Sequence, residues 1–78
     1  MFKEYLGRLV ATRNNGVGRI VGYDYVDGSL IIEVPKGVGW TTNIFRGVVY
    51  LDGYERPKDK SLLFISVNNI IKVIKEEK

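Results

Sequence analysis

The sequence predicts an all-β fold, a single small barrel of about five antiparallel strands with a long loop after the central hairpin. Its 78 residues are enough for one domain, which we expect to span residues 1–78. Short runs rich in β-branched and aromatic residues alternate with clusters of turn-forming residues, the pattern typical of successive strands. An Asp-Gly pair at residues 27–28 separates two of these runs and predicts a tight β-hairpin.

The first strand is predicted at residues 7–12 and ends at a turn-forming run, Arg13-Asn14-Asn15-Gly16. The glycines here raise the question of a phosphate-binding loop. Gly16, Gly18 and Gly22 have the spacing G-x-G-x-x-x-G, one residue too long for the dinucleotide-binding fingerprint, and a hairpin follows instead of a helix. We therefore interpret Gly16 as a turn residue with positive φ and Gly22 as a bulge or close contact.

Two further strands form the predicted hairpin, at residues 18–25 and 29–34. In the later strand a two-residue period divides the side chains between two faces. The face that we expect to line the core carries Leu30, Ile32 and Val34. The opposite face carries Ser29, Ile31 and Glu33.

The core must be small, because a domain of this length buries only about 60% of the surface that its unfolded chain exposes. We expect the inward-facing side chains of the five strands to form it. The residues predicted to be buried are Leu9, Ile20, Leu30, Ile32, Phe64 and Ile71.

The second half of the chain begins with a break at Pro35, which cannot donate a hydrogen bond to a sheet. In the long loop that follows, residues 48–51 (VVYL) form a candidate short strand without a protecting lysine, so we expect it to pair with another strand or with a second copy. Strands are predicted at residues 61–66 and 70–74, with a turn or a single 3₁₀ turn at 66–69. Residues 70–74 also fit helical spacing, but their β-branched side chains favour a strand.

The composition indicates a cytoplasmic protein that does not cross a membrane. The chain has no cysteine, so the sequence gives no sign of an oxidising compartment. No apolar run approaches the roughly 20 residues that span a bilayer, and Glu4 and Arg8 interrupt any signal-peptide core. Twelve Lys or Arg residues against nine Asp or Glu give a net charge of +3, a mild basic bias that is compatible with nucleic-acid binding.

Catalysis is difficult to assign to this composition. Without His or Cys the chain lacks the usual general base at neutral pH, a thiolate nucleophile and most transition-metal ligands. Asp24 and Asp27 could form a pair of acids or a cation site, but no further carboxylates accompany them, and a polar turn is the favoured interpretation. We predict a protein that is not an enzyme, with no metal and no cofactor.

Three sequence features occur together in this chain: the motif GRIVGYD at residues 18–24, the pair Gly39-Trp40 and the closing stretch SVNNIIKVI at 66–74. In this combination the sequence resembles small SH3-like β-barrel proteins of phages and mobile genetic elements in low-GC bacteria. The resemblance covers about two-thirds of the chain and implies the SH3-like barrel. Most such proteins have no assigned activity, so the resemblance implies little about a ligand.

Two classes of binding function remain open. A nucleic-acid binder would place basic side chains against phosphates and aromatic rings against bases. A protein-interaction module would use an aromatic groove, in a monomer or a homodimer. By the two-residue period, Tyr23 and Tyr25 share a face with Arg19 and point to solvent if Ile20 points inward. They then form either an aromatic contact strip or a pair that packs across the strands. Trp40 is either a stacking platform or a core residue. The candidate binding residues are Arg13, Arg19, Tyr23, Tyr25, Lys36, Trp40, Arg46 and Arg56.

Overall fold

The all-β prediction is confirmed by a computed structural model of the protein. The structure describes residues 2–36 and 47–76; residues 2 and 3 are described by their backbone alone. Six antiparallel strands form one sheet. The strands are β1 (Leu9–Thr12), β2 (Val17–Asp24), β3 (Leu30–Pro35), β4 (Val48–Tyr50), β5 (Lys60–Ile65) and β6 (Ile70–Ile74). Short 3₁₀ helices at Phe2–Tyr5 and Val67–Asn69 complete the regular structure of the described residues.

The five predicted strands are all present, each within two residues of its predicted ends. The candidate strand in the long loop, β4, is real and pairs with β2, which makes six strands where five were expected. A strand, and not a helix, follows the 3₁₀ turn at Val67–Asn69. The Ser66 hydroxyl oxygen caps this turn by accepting a hydrogen bond from the Asn68 amide at 3.2 Å.

The strand order is β5-β3-β2-β1-β6, and β4 lies off this path. β2 is long enough to pair with two strands along one edge. Its first half pairs with β1, and its last three residues pair with β4. Its other edge pairs with β3. Within the described residues no pairing joins β5 to β6, so the sheet is not closed and a barrel is not shown.

A β-bulge interrupts β2 after Ile20. Ile20 lies opposite Ile32 and Gly22 lies opposite Ile31, so Val21 is an extra residue on the β2 side. A bulge moves every later side chain of its strand to the opposite face. The predicted bulge or close contact at Gly22 is confirmed, since a Cβ atom at this position would lie 2.7 Å from the Val49 carbonyl oxygen.

The sheet buries hydrophobic residues on both faces. The larger cluster contains Val10, Ile20, Leu30, Ile32, Val34, Leu63 and Ile65. The smaller cluster contains Val21, Ile31 and Leu62, covered by partly buried side chains that include those of Val48, Leu51 and Tyr54. The predicted core face of β3 is confirmed, but Ile31 on the opposite face is fully buried as well.

Three of the six predicted core residues, Ile20, Leu30 and Ile32, are fully buried. Leu9 and Phe64 are only partly buried. Ile71 is 60% exposed, so its predicted burial is wrong. The physical reason is a second bulge: Thr12 pairs with Ile70 and Ala11 with Lys72, which leaves Ile71 as the extra residue of β6.

The turns support the predicted roles of the glycines and aspartates. Gly16 has φ of +72° between β1 and β2, and a strand follows where a phosphate-binding loop would require a helix. In the β2–β3 turn the Val26 amide donates to Asp24 Oδ1 at 2.8 Å, and the Ser29 amide donates to Asp27 Oδ1 at 2.9 Å. The hydrogen bond from Ser29 also lowers the pKa of Asp27. The polar-turn interpretation of this acidic pair is confirmed.

Candidate functional site

One end of the sheet gathers basic residues from parts of the chain that are distant in sequence. β3 ends and β5 begins there, because Pro35 lies opposite Lys60. Lys36 follows β3 directly, and Arg56 and Lys58 precede β5. The turn that contains Arg13 lies at the same end, since it joins the end of β1 to the start of β2.

Four of these cations line a cleft with a volume of about 420 Å³; they are Lys36, Arg56, Lys58 and Lys60. The backbone that carries them is fixed by hydrogen bonds. The Lys36 amide donates to the Asp59 carbonyl at 3.1 Å, and the Lys36 Nζ donates to the Lys58 carbonyl at 3.3 Å. In the part of the chain that the structure describes, none of the four forms an ion pair with a carboxylate. Their charges are therefore available to an anionic ligand.

A pair of stacked tyrosines lies next to the cleft. The rings of Tyr50 and Tyr54 have centroids 5.4 Å apart and planes 18° apart. The Tyr54 hydroxyl donates to Glu33 Oε2 at 2.6 Å, which anchors the pair to β3. Burial raises the pKa of both phenols, and Glu33 raises that of Tyr54 further. The Arg56 guanidinium opposes both shifts. Arg56 follows Tyr54 by two residues, and Glu33 precedes Pro35, the partner of Lys60, by two residues, so the pair lies beside residues that line the cleft.

Arg19, one of the predicted binding residues, is engaged within the protein. Its guanidinium forms two parallel hydrogen bonds to the Glu76 carboxylate, at 2.9 and 2.8 Å. It also donates to the Gly7 carbonyl at 2.9 Å. The hydrogen bond lowers the pKa of Glu76 and raises that of Arg19, so both groups carry their charge at neutral pH. A phosphate at Arg19 would have to compete with this pair.

The predicted aromatic strip of Tyr23 and Tyr25 is not formed. The bulge at Val21 turns the Tyr23 side chain to the face of Ile20, where it packs against the larger cluster. Tyr25 lies in the β2–β3 turn and is 67% exposed. The two-residue alternation on which the strip rested is therefore wrong beyond Ile20.

The eight predicted site residues are thus only partly brought together. Lys36 and Arg56 lie in the cleft, and Arg13 is exposed at the same end of the sheet. Trp40 and Arg46 lie outside the described residues, and their predicted roles stay predictions.

Two acidic residues of the hairpin, Asp24 and Asp27, are separated from the cleft, whereas Glu33 lies near it and accepts the hydrogen bond from Tyr54. Asp24 and Asp27 lie at the turn end of β3, whereas Lys36 follows its other end. With about 3.3 Å per residue, the length of β3 puts about 17 Å between the two ends. This exceeds the screening length of about 8 Å at physiological ionic strength. The repulsion that these aspartates would exert on a phosphate in the cleft is therefore small.

Four residues of the site were missed by the sequence reasoning: Lys58, Lys60, Tyr50 and Tyr54. A usable signal was present, because Arg56, Lys58 and Lys60 recur every second residue. That spacing puts charges on one side of an extended segment. The tyrosine pair carried no comparable signal, because its position depends on β4 pairing with β2.

Neither a search for metal-binding groups and membrane-spanning helices nor a comparison with known proteins assigns a function to the chain. Among the described residues no group of three or more His, Cys, Asp or Glu side chains could hold a metal ion. The same part of the chain contains no helix that is long and apolar enough to span a membrane. Comparison of the chain with known protein families, with curated proteins and with solved structures found no significant match.

Proposed function

We propose that this protein is a non-catalytic binding module for nucleic acid, with the phosphate backbone held in the cleft lined by Lys36, Arg56, Lys58 and Lys60. The observation that carries the proposal is the convergence of these four cations without an ion-paired carboxylate among the described residues. Clustered Lys and Arg side chains attract phosphates and release the counterions condensed on them. A net charge of +3 gives only a weak general attraction, so the local cluster must supply most of the affinity.

We further propose the finer fold and origin that the sequence resemblance implies. These are an SH3-like barrel and a module of a phage or mobile genetic element that acts in the cytoplasm. The long β2, which pairs with β1 in one half and with β4 in the other, supports a strongly bent sheet of this kind.

Reversal of charge in the cleft tests the proposed site. The double variant Lys36→Glu/Lys58→Glu should bind a single-stranded oligonucleotide at least about tenfold more weakly than the wild type at low salt. For the wild type, about four phosphate contacts predict that the logarithm of the affinity falls with the logarithm of the salt concentration with a slope of about −3. Fluorescence anisotropy with a labelled oligonucleotide measures both quantities.

The matched control is Lys72→Glu/Lys75→Glu, which changes the net charge equally at two exposed lysines on and after β6. This control should lose much less affinity than the cleft variant. Equal losses in the two variants would show a general charge effect and contradict the cleft as the site. Absence of binding to DNA and RNA at low salt would refute the proposed function.

A protein-interaction module is the second candidate, and β4 is the observation that favours it. This strand pairs with β2 on one edge, and in the described residues no strand pairs with its other edge. Val49 and Tyr50 on it are exposed. An edge strand of this composition can pair with a strand of another chain, including a second copy of this one. Light scattering at high protein concentration tests for a homodimer. A molar mass equal to that of the monomer would exclude it.

A further inference from the structure

We infer that the site takes single-stranded nucleic acid in preference to a duplex, with one base stacked on Tyr50 while neighbouring phosphates lie in the cleft. This inference rests on the proposed function and specifies its substrate class. Its starting point is the continuity between the cleft and the tyrosine pair. Arg56 lines the cleft two residues after Tyr54. The Tyr54 hydroxyl donates to Glu33 at 2.6 Å, and Glu33 lies on β3 two residues before Pro35, the partner of the cleft residue Lys60.

The Tyr50 ring is exposed and held in place. The residue is 37% exposed, while Tyr54 stacks on its ring and is hydrogen-bonded to Glu33. On the backbone side, Gly22 lies opposite Tyr50 in the β2–β4 pair, and a Cβ atom on this glycine would lie 3.1 Å from the Tyr50 ring. A ring that is already ordered loses little conformational entropy when a base stacks on it.

The ring also keeps its neutral form beside the phosphates. A tyrosine has an ordinary pKa of about 10, and burial raises that of Tyr50 further, so the phenol is protonated at physiological pH and adds no negative charge to the site. A neutral phenol near the cations of the cleft combines an aromatic surface with positive charge, the pairing used by proteins that bind single strands.

This arrangement favours single strands because a duplex keeps its base faces stacked on one another. The phosphates of a duplex can reach the four cations, but its bases cannot reach Tyr50 without being unstacked. The four cations can therefore bind both single-stranded and duplex nucleic acid, whereas Tyr50 can stack only on the bases of a single strand.

The experiment compares three probes: a thymidine 12-mer, a 12-base-pair DNA duplex and heparin, a polyanion without bases. Tyr50→Ala should weaken binding of the 12-mer about fivefold to a hundredfold, as expected for the loss of one stacked base. Its binding to the duplex and to heparin should change less than twofold. Tyr50→Phe should bind all three probes like the wild type, since it keeps the ring.

Tyr25→Ala is the matched control, because it removes an exposed tyrosine at the far end of the hairpin. It should leave the affinity for every probe unchanged. Circular dichroism checks that Tyr50→Ala is folded, and Tyr50→Leu replaces it if it is not. Equal losses for the 12-mer and the duplex, or no loss for the 12-mer, would overturn the single-strand preference while the cleft charges still matter. A wild-type protein that binds none of the probes would instead refute the proposed function.

Discussion

The two faces of the sheet bury hydrophobic clusters that differ in size and in origin. The larger cluster has seven buried residues, and the smaller one has three. The larger cluster is contributed by β1, β2, β3 and β5, which form the continuous part of the sheet. The smaller cluster depends on residues of the 48–54 segment, which reach it only because β4 pairs with the end of β2.

This difference separates the main source of stability from the residues that support the candidate site. Most of the buried apolar area, and so most of the hydrophobic stabilisation, lies in the larger cluster. The smaller cluster supports Tyr54 and, through it, Tyr50 beside the cleft. A change in the larger cluster should unfold the whole protein, whereas a change under the 48–54 segment should first loosen the candidate site.

The largest effect is expected from Ile32→Asp, in the centre of the larger cluster. Ile32 is fully buried, and an unpaired buried carboxylate should lower the free energy of unfolding by about 3–5 kcal/mol. Ile71→Asp is the matched control, because the bulge in β6 leaves Ile71 60% exposed. It should cost less than about 1 kcal/mol. Thermal melts of both variants test the comparison, and an Ile32→Asp protein that melts like the wild type would contradict it.

A smaller and more local effect is expected from Gly22→Ala. The new Cβ atom would lie 2.7 Å from the Val49 carbonyl oxygen, so β4 must move away from β2. We expect a loss of about 1–3 kcal/mol, the usual cost of overpacking.

Hydrogen exchange distinguishes this local loosening from global unfolding. The Leu51 amide, which donates to the Val21 carbonyl at 2.8 Å, should exchange faster by a larger factor than the Ile20 amide, which donates to Arg8 at 3.0 Å. Equal acceleration at both amides would show that the two clusters unfold together.

The smallest effect is expected from Tyr54→Phe, which removes the hydrogen bond to Glu33 and leaves the ring in place. The loss should be about 1 kcal/mol at neutral pH. Because the folded state raises the pKa of Tyr54, the stabilisation is complete below the unfolded pKa of about 10 and declines above it. Chemical denaturation at pH 7 and pH 11 should therefore show a smaller difference between variant and wild type at the higher pH.

The strands could be predicted because their signals are local. Alternating apolar residues and turn-forming clusters placed every strand within two residues of its ends. The sequence indicated a bulge or close contact at Gly22 but not that Val21 is the extra residue, and the bulge at Ile71 carried no local signal, since a bulge is defined by the strand opposite and not by its own sequence. The two errors about Tyr23 and Ile71 follow directly from these bulges.

The candidate site was harder to predict than the fold. Lys36 and Lys60 lie 24 positions apart in sequence, and the pairing of Pro35 with Lys60 brings them together. No local pattern specifies that pairing. Arg19 was predicted to contact a ligand, but its guanidinium forms an ion pair with Glu76, near the other end of the chain.

The basic cleft and the aspartates of the β2–β3 turn lie at opposite ends of the hairpin, so these two groups of charges contribute an electric dipole along it. Near a polyanion, such a dipole experiences a torque that turns the end with Lys36 and Lys60 forward and the end with Asp24 and Asp27 away. In the proposed binding reaction, this orientation before contact favours encounters through the cleft. Salt weakens this steering, so it should slow association more than it speeds dissociation.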